Sequence, residues 1–212
     1  MSIYVNNQYY HVYNRGVAKQ PIFVTEKDYV RLLNTFSFYI ENASKPQYSK
    51  IDSVELSQVL ATVPEKPLVE IIAYCLMPNH FHLILKQLVE NGIGIFLRRS
   101  LDSYTRYYNT KNNRVGPIFQ GRTKSVLVEN DEYLLHLSRY LHLNPYVSSL
   151  CKELLDYRWS SYHQYLNNIS NRICHTGFIL ELIGSPESYQ KFVEDFASYA
   201  VDLERLKHLT IE

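Results

Sequence analysis

The amino-acid sequence predicts an α+β fold in which helices cover one face of an antiparallel sheet. Short segments rich in aromatic and β-branched residues alternate with segments whose apolar residues recur at helical spacing. The 212 residues suffice for one domain with its own core, or for one domain with an appendage. The composition, with 46% hydrophobic and 20% charged residues, excludes disorder over the whole chain.

The first half of the sequence contains three predicted strands and one predicted helix. Aromatic and β-branched residues place the strands at Tyr9–Asn14, Leu68–Met77 and His80–Lys86. Thr25, followed three residues later by Asp28, predicts the start of a helix that continues to Ile40. Pro78-Asn79 indicates a turn between the second and third strands, and residues 42–67 are expected to form a partly ordered connection.

The second half adds two helices and a fourth strand. Asn91-Gly92 precedes a helix that continues to Tyr108, and the fourth strand is predicted at Thr123–Val128. A further helix begins after Asn130 or Asp131 and is expected to stop near Pro145. The order strand, helix, strand, strand, helix, strand is that of a ferredoxin-like βαββαβ domain, followed here by an additional helix.

Beyond this helix, short amphipathic segments predict a helical appendage. We therefore expect a domain at residues 1–150 and a helical extension at residues 151–212, packed on or near it. The three cysteines form no CxxC pair, which favours a reducing compartment. No basic segment precedes an apolar one at the N-terminus, and no apolar run approaches the roughly 18–20 residues that cross a bilayer. We expect a cytoplasmic protein without a membrane partner.

The overall charge is close to zero, with 22 Lys and Arg against 21 Asp and Glu, which excludes a uniformly basic surface. Positive charge is concentrated in one stretch, whose cations are Arg98, Arg99, Arg106, Lys111, Arg114, Arg122 and Lys124. Between them lie the aromatic residues Tyr104, Tyr107, Tyr108 and Phe119. Cations contact phosphates and rings stack on unpaired bases, so the stretch favours nucleic-acid binding. The alternative is a solvated helix face followed by a loop.

His80 and His82 lie two residues apart in the third predicted strand. Alternate residues of a strand point to the same face, so both imidazoles share a face while Phe81 and Leu83 point towards the helices. Two imidazoles on a rigid strand can bind a divalent metal ion. The alternative is an exposed sheet face with two histidines, since the pair alone implies no third ligand.

Tyr140 and Asn144 lie four residues apart on the last predicted helix of the domain, and therefore on one face of it. Asn144 could add an oxygen ligand to the two histidines, with Tyr140 one turn away as a nucleophile. His142 points in roughly the opposite direction and is not expected to be a ligand. The alternative is a half-buried core tyrosine and an ordinary asparagine before Pro145.

Five short motifs occur in order along the chain, at Tyr10–Gly16, Cys75–Leu83, Phe119–Arg122, Ser138–Pro145 and Trp159–Tyr162. Together they resemble the REP-associated tyrosine transposases, chromosomal relatives of the single-tyrosine HUH transposases of small insertion sequences. The resemblance covers about residues 9–166. It implies a ferredoxin-like domain that cuts and rejoins single-stranded DNA beside short palindromic hairpins.

The resemblance also implies roles for particular residues. By position, His80 and His82 match the HUH pair, Tyr140 matches the nucleophile, and Asn144 falls where the third metal ligand is expected. It further implies a 5′-phosphotyrosine intermediate and Mg²⁺ or Mn²⁺ as the cofactor. Phosphate contact is expected of Arg15 and Arg122, which lie within the motifs. On its charge pattern alone, the basic stretch adds five further candidates, namely Arg98, Arg99, Arg106, Arg114 and Lys124.

Three other functions remain open at this point. A domesticated protein could bind DNA or RNA hairpins without catalysis, because sheets with exposed aromatic residues also bind single-stranded RNA. A structural metal protein would use the same two histidines. A metal-dependent hydrolase is disfavoured, since no Asp or Glu cluster lies near them in the sequence. The sequence leaves open whether the protein is a monomer or a homodimer.

Overall fold

The computed structural model describes residues 4–41, 48–169 and 173–209, with side chains described up to residue 203. One sheet is formed by the strands β1 (Tyr9–Arg15), β2 (Val69–Met77), β3 (His80–Gln87) and β4 (Lys124–Val128). The strands are arranged in the order β2-β3-β1-β4, and all neighbours are antiparallel. This arrangement confirms the predicted ferredoxin-like fold class.

The helices of the described residues are α1 (Glu26–Tyr39), α2 (Ser53–Ala61), α3 (Gly92–Lys111), α4 (Asp131–Val147), α5 (Tyr162–Leu166), α6 (Gly177–Ile183), α7 (Pro186–Glu194) and α8 (Ala197–Leu209). Single 3₁₀ turns lie at Val17–Lys19, Tyr48–Lys50 and Leu154–Asp156. None of the helices in this part of the chain has the length and apolar character needed to cross a membrane.

Helices α1 and α3 cover one face of the sheet. Phe36 of α1 lies between Phe81 of β3 and Phe96 of α3, with ring centroids 6.3 Å and 5.4 Å away, and all three side chains are buried. Burying side chains of this size stabilises the fold by about 2 kcal/mol each. Because Phe81 points into this layer, the histidines on either side of it point to the opposite face, as predicted.

The start of α1 follows the expected pattern. The Asp28 carboxylate accepts hydrogen bonds from the backbone N–H groups of Val24 and Thr25, at 2.9 Å and 2.8 Å. The helix therefore begins at Glu26, one residue after Thr25. Asp28 also accepts hydrogen bonds from two residues of α3, Tyr107 and Lys111, so that one buried carboxylate joins the two helices.

Helix α4 lies on the other face of the sheet, and the chain that follows it covers the edge of β2. The Leu76 N–H donates to the Trp159 carbonyl and the Ser161 N–H donates to the Tyr74 carbonyl, each at 2.9 Å. These bonds occupy backbone groups that an edge strand would otherwise expose. Residues beyond 150 therefore pack on the sheet edge and on α4, while the division of the chain near residue 150 stays a prediction.

Besides small shifts at the ends of strands and of helices α1 and α3, the structure differs from the sequence prediction in the connection before β2 and at the end of α4. Part of the connection expected to be only partly ordered is helix α2, whose first N–H groups donate to the Asp52 carboxylate at 2.9 Å. Residues 42–47 of that connection lie outside the described residues. Helix α4 ends at Val147, two residues beyond Pro145, because a proline in the last turn removes one N–H without ending the helix at once.

Candidate active site

The register between β1 and β3 determines which side chains share a face with the two histidines. Arg15 is paired with His80 and Tyr13 with His82, while His11 is paired with Ile84. Directly opposed residues of antiparallel strands point to the same face. The face below α4 therefore carries a row of polar and aromatic side chains from both central strands.

An open cavity of about 640 Å³ separates this face from α4. Its walls include Arg15, His80, His82, Lys124, Tyr140 and Asn144. The structure thus brings together all four residues that the sequence predicts for the chemistry, although they lie up to 64 residues apart along the chain (from position 80 to position 144). Two of the predicted phosphate-binding cations lie beside them.

The orientation of the His80 ring is determined by its neighbour in the sequence. Its Nδ1 lies 2.6 Å from the Asn79 carboxamide oxygen, and the Asn79 carboxamide nitrogen donates to the Lys19 carbonyl at 3.0 Å. An amide oxygen only accepts hydrogen bonds, so the proton of the neutral ring is on Nδ1 and Nε2 keeps its lone pair. Burial, together with the nearby charge of Arg15, lowers the pKa of His80 to about 4, which keeps the ring neutral near pH 7.

His82 is held in the same way, by a third imidazole. Its Nδ1 lies 2.9 Å from Nε2 of His11, and the two rings are stacked with centroids 5.1 Å apart. Burial lowers the pKa of His11 to about 4 and that of His82 well below its usual value. When His82 donates its Nδ1 proton to His11, its Nε2 is left as a free lone pair. Such outer partners orient the histidine ligands of metal sites.

Tyr140 lies outside the hydrophobic core, with 49% of its surface exposed. Its ring centroid is 5.8 Å from that of His82 and 6.5 Å from that of His11, with the rings edge to face. The carboxamide nitrogen of Asn144 donates to the Tyr140 carbonyl at 3.5 Å, one turn along the helix. The phenol is therefore open to a substrate in the cavity.

The donors that face the cavity fit a cation with mixed nitrogen and oxygen ligands. In the described parts of the chain, no group of three or more His, Cys, Asp or Glu side chains could hold a metal ion. A metal site here would consist of the two imidazole Nε2 atoms and the Asn144 amide oxygen, with positions left for phosphate or water. Mn²⁺ accepts imidazole more readily than Mg²⁺, which prefers oxygen ligands.

His142 lies on the opposite side of α4 and does not line the cavity, in agreement with the prediction. Its Nδ1 lies 2.7 Å from the Tyr189 hydroxyl and its Nε2 2.7 Å from the Ser161 hydroxyl, in a buried position. The Tyr189 hydroxyl donates in turn to Ser138 at 2.9 Å. This polar cluster connects the helix that carries Tyr140 to α7 and to the segment before α5.

The basic stretch is dispersed by the fold. Lys124 lines the cavity, whereas Lys111 forms an ion pair with the buried Asp28 and Arg114 donates to the Pro117 carbonyl at 3.4 Å. The other cations do not line the cavity. Arg98, Arg99 and Arg106 are on α3, behind the sheet, and Arg122 is exposed in the loop before β4.

The aromatic residues of that stretch are structural, which corrects their assignment to base stacking. Tyr104 is fully buried and donates to the Ile22 carbonyl at 2.6 Å; Phe119 is buried nearby. The Tyr108 hydroxyl donates to a backbone carbonyl and that of Tyr107 donates to Asp28. Positions 104 and 108 lie four apart and therefore share one face of α3, which here faces the core. The same spacing would fit an exposed face, so the sequence alone did not distinguish the two.

Two residues of the site were not assigned from the sequence, His11 and Tyr13. Both belong to the motif at Tyr10–Gly16 and lie at alternate positions of β1, between residues that are buried. Their spacing of two residues in a predicted strand is the sequence feature that places them on one face. Their proximity to His82 depends on the β1–β3 register, which a single sequence does not provide. His11 contacts His82 directly, and Tyr13 lies 5.8 Å from it between ring centroids.

Known proteins that are similar to this chain include one relative in sequence and one solved structure. No family model matches the chain. A curated protein of Haemophilus influenzae, named as a candidate REP-associated tyrosine transposase, is 28% identical over 45% of this chain and 60% of its own length. A solved structure of a REP-associated tyrosine transposase bound to a REP hairpin superposes with a TM-score of 0.57, covering 82% of this chain and 89% of the other. The chain resembles the REP-associated tyrosine transposases.

The two comparisons carry different information. The match to the solved REP-associated tyrosine transposase is 14% identical, so it establishes a shared fold. The match to the curated REP-associated tyrosine transposase is in sequence, and this chain spans about three fifths of that relative's length. Together they confirm the resemblance that the five motifs indicate.

Proposed function

We propose that this protein nicks and rejoins single-stranded DNA beside hairpins through a covalent 5′-phosphotyrosine link to Tyr140. One observation carries the proposal: Tyr140, Asn144, His80 and His82 surround one open cavity together with the cation Lys124. The resemblance to REP-associated tyrosine transposases supports the same substrate class.

In the first step, the phenolic oxygen of Tyr140 attacks the phosphorus of a DNA phosphodiester and loses its proton to solvent. The bond from phosphorus to the 3′ oxygen breaks, and the departing strand takes up a proton to become a 3′-hydroxyl. In the second step a 3′-hydroxyl, from this strand or another, attacks the phosphotyrosine and releases Tyr140. The number of phosphoester bonds is conserved, so no nucleotide cofactor is needed.

The other residues of the cavity position the phosphate. Arg15 and Lys124 compensate its negative charge from the sheet side. His80 and His82, neutral and with fixed rings, and the Asn144 amide oxygen would hold the divalent cation. When bound, this cation would polarise the phosphate oxygens and stabilise the charge that develops on them. The cavity lies between sheet and helix, which favours a flexible single strand over a continuous duplex.

The experiment measures adduct formation. Labelled single strands that carry a hairpin are incubated with the full chain and Mn²⁺ or Mg²⁺, and protein–DNA adducts are separated under denaturing conditions. Tyr140→Phe is expected to abolish the adduct and to retain DNA binding, while the matched control Tyr199→Phe, at an exposed tyrosine of α8, keeps it. An adduct formed equally by Tyr140→Phe would refute the assignment, and hairpin binding without any adduct would favour a binding protein without catalysis.

A further inference from the structure

A second cavity adjoins the first along α4, on the far side of Tyr140. It has a volume of about 520 Å³ and is more apolar than the first. Its walls include Tyr133, His136 and Tyr140 of α4 and, from the sheet, His11, Tyr13 and Val126. Among the residues that the structure describes, no Asp or Glu side chain lines it.

The two cavities adjoin along α4 and are together called the groove, and Tyr140 contributes to the walls of both. Tyr13 and His82 also line both cavities, which are therefore adjacent. Tyr133 and Tyr140 are seven residues apart on α4 and therefore on one face of the helix. One end of the groove thus offers cations to an anion, and the other end offers rings to a flat apolar group.

The rings at the second end are accessible to a ligand. Tyr133 is 40% exposed, and Val126 on the opposite wall is exposed as well. Elsewhere on this chain, tyrosines such as Tyr104, Tyr162 and Tyr189 are fully buried in the core. A cavity between partly exposed rings accepts an unpaired nucleobase, since stacking on aromatic side chains contributes about 1–3 kcal/mol per base.

His136 adds a polar contact to this end. Its Nδ1 lies 2.8 Å from a guanidinium nitrogen of Arg139, and the Arg139 side chain lies over the Phe196 ring at 3.9 Å. A guanidinium only donates hydrogen bonds, so Nδ1 of the neutral ring accepts and Nε2 carries the proton. The Nε2–H group is then able to donate to a ring nitrogen or carbonyl of a base.

We propose that the cavity between Tyr133, His136 and Tyr13 binds the unpaired nucleobase next to the phosphate that Tyr140 attacks. The inference rests on the proposed function and specifies how the single strand lies: phosphate at the cationic end, adjacent base at the aromatic end. A nucleotide has this same division into an anionic and a flat aromatic part. Because every base has a face that stacks, preference among bases comes mainly from the hydrogen bond to His136.

The test uses binding, so that it does not depend on turnover. A short oligothymidine strand with one fluorescent adenine analogue is titrated into the full chain carrying Tyr140→Phe, with the analogue moved along the strand. Stacking on a tyrosine quenches the analogue, and we expect strong quenching at one position. Adding Tyr133→Ala should abolish this quenching and weaken binding about 5- to 150-fold, as expected for one lost stack.

Two further variants serve as controls. Adding Tyr133→Phe, which retains the ring, should preserve both quenching and affinity. Tyr199→Ala removes another exposed tyrosine, which lines neither cavity, and should change neither. If Tyr133→Ala binds and quenches as the parent does, the base site is wrong. Tighter binding of the matching oligouridine RNA, with the same dependence on Tyr133, would overturn the assignment to DNA.

This test separates the two proposals. If the unmutated protein makes no adduct with DNA, the catalytic proposal is wrong. Quenching that still depends on Tyr133 would then support the base site by itself. An adduct formed with normal yield by both the unmutated chain and Tyr133→Ala, together with unchanged quenching, would refute the base site and leave the catalytic proposal standing.

Discussion

The buried cluster around His142 should contribute measurably to the free energy of unfolding. Replacement of His142 by Phe keeps a planar ring of similar size but removes hydrogen bonds to the Tyr189 and Ser161 hydroxyls. Neither hydroxyl is left without a partner, because Tyr189 still donates to Ser138 and Ser161 still accepts from the Tyr74 N–H at 2.9 Å. The expected cost is therefore that of two ordinary hydrogen bonds, about 2 kcal/mol.

This loss is measurable as a change in thermal or urea-induced unfolding. For a chain of this length, about 2 kcal/mol lowers the Tm by roughly 4–8 °C. His136→Phe is the matched control, since it changes an exposed histidine on the same helix and should leave the Tm nearly unchanged. In a double-mutant cycle with Tyr189→Phe, we expect a coupling free energy of about 1 kcal/mol.

Two results would contradict a stabilising role of this cluster. A coupling energy near zero between His142 and Tyr189 would show that the 2.7 Å contact contributes nothing to stability. An unchanged Tm in His142→Phe would show that α4 is held by apolar packing alone. Loss of adduct formation in His142→Phe without loss of stability would instead indicate that the cluster acts on the position of Tyr140.

Three further predictions concern the site and its supports. His11→Phe should weaken Mn²⁺ binding about 10- to 100-fold, because it removes the hydrogen-bond partner of His82, while His11→Gln should retain part of the affinity. Paramagnetic resonance of free Mn²⁺ measures both affinities. If His11→Phe binds Mn²⁺ as tightly as the unmutated chain, His11 does not orient a metal ligand. Lys124→Gln should lower the slope of log affinity against log salt for single-stranded DNA by about 0.7, while Lys86→Gln should not, as measured by fluorescence anisotropy. Asp28→Asn should destabilise the fold by about 3 kcal/mol in urea unfolding. Both carboxylate oxygens accept hydrogen bonds in a buried position, and a carboxamide accepts at only one of them. A cost below about 1 kcal/mol would contradict this.

The sequence is most informative where one local rule determines the structure. Strand β3 is predicted at His80–Lys86 and observed at His80–Gln87. At its start, polar and apolar residues alternate, which is typical of a strand with one polar and one apolar face. The same rule places both histidines on one face. The spacing of Tyr140 and Asn144 likewise follows from the helical repeat, and both residues line the cavity.

The sequence is less informative where residues distant in the chain meet. The contact of His11 with His82 joins residues 71 positions apart and depends on strand register. The basic stretch is continuous in sequence, but α3 and β4 lie on different parts of the fold, so Lys124 reaches the cavity and the cations of α3 lie behind the sheet. Proximity in sequence was therefore a poor guide to which cations could contact a phosphate at the site.

Helix α4 explains why the extension after residue 150 matters for the site. On one side of the helix Tyr140 faces the groove, and two residues later His142 is bonded to Tyr189 and Ser161 on the other. A rigid helix couples these sides, so the position of the phenol above His82 depends on contacts made by residues beyond 150. The same segment covers the edge of β2, the strand next to β3. Substitutions that break the contacts of Tyr189 or Ser161 with His142 should therefore affect the geometry of the site even where they contact no DNA.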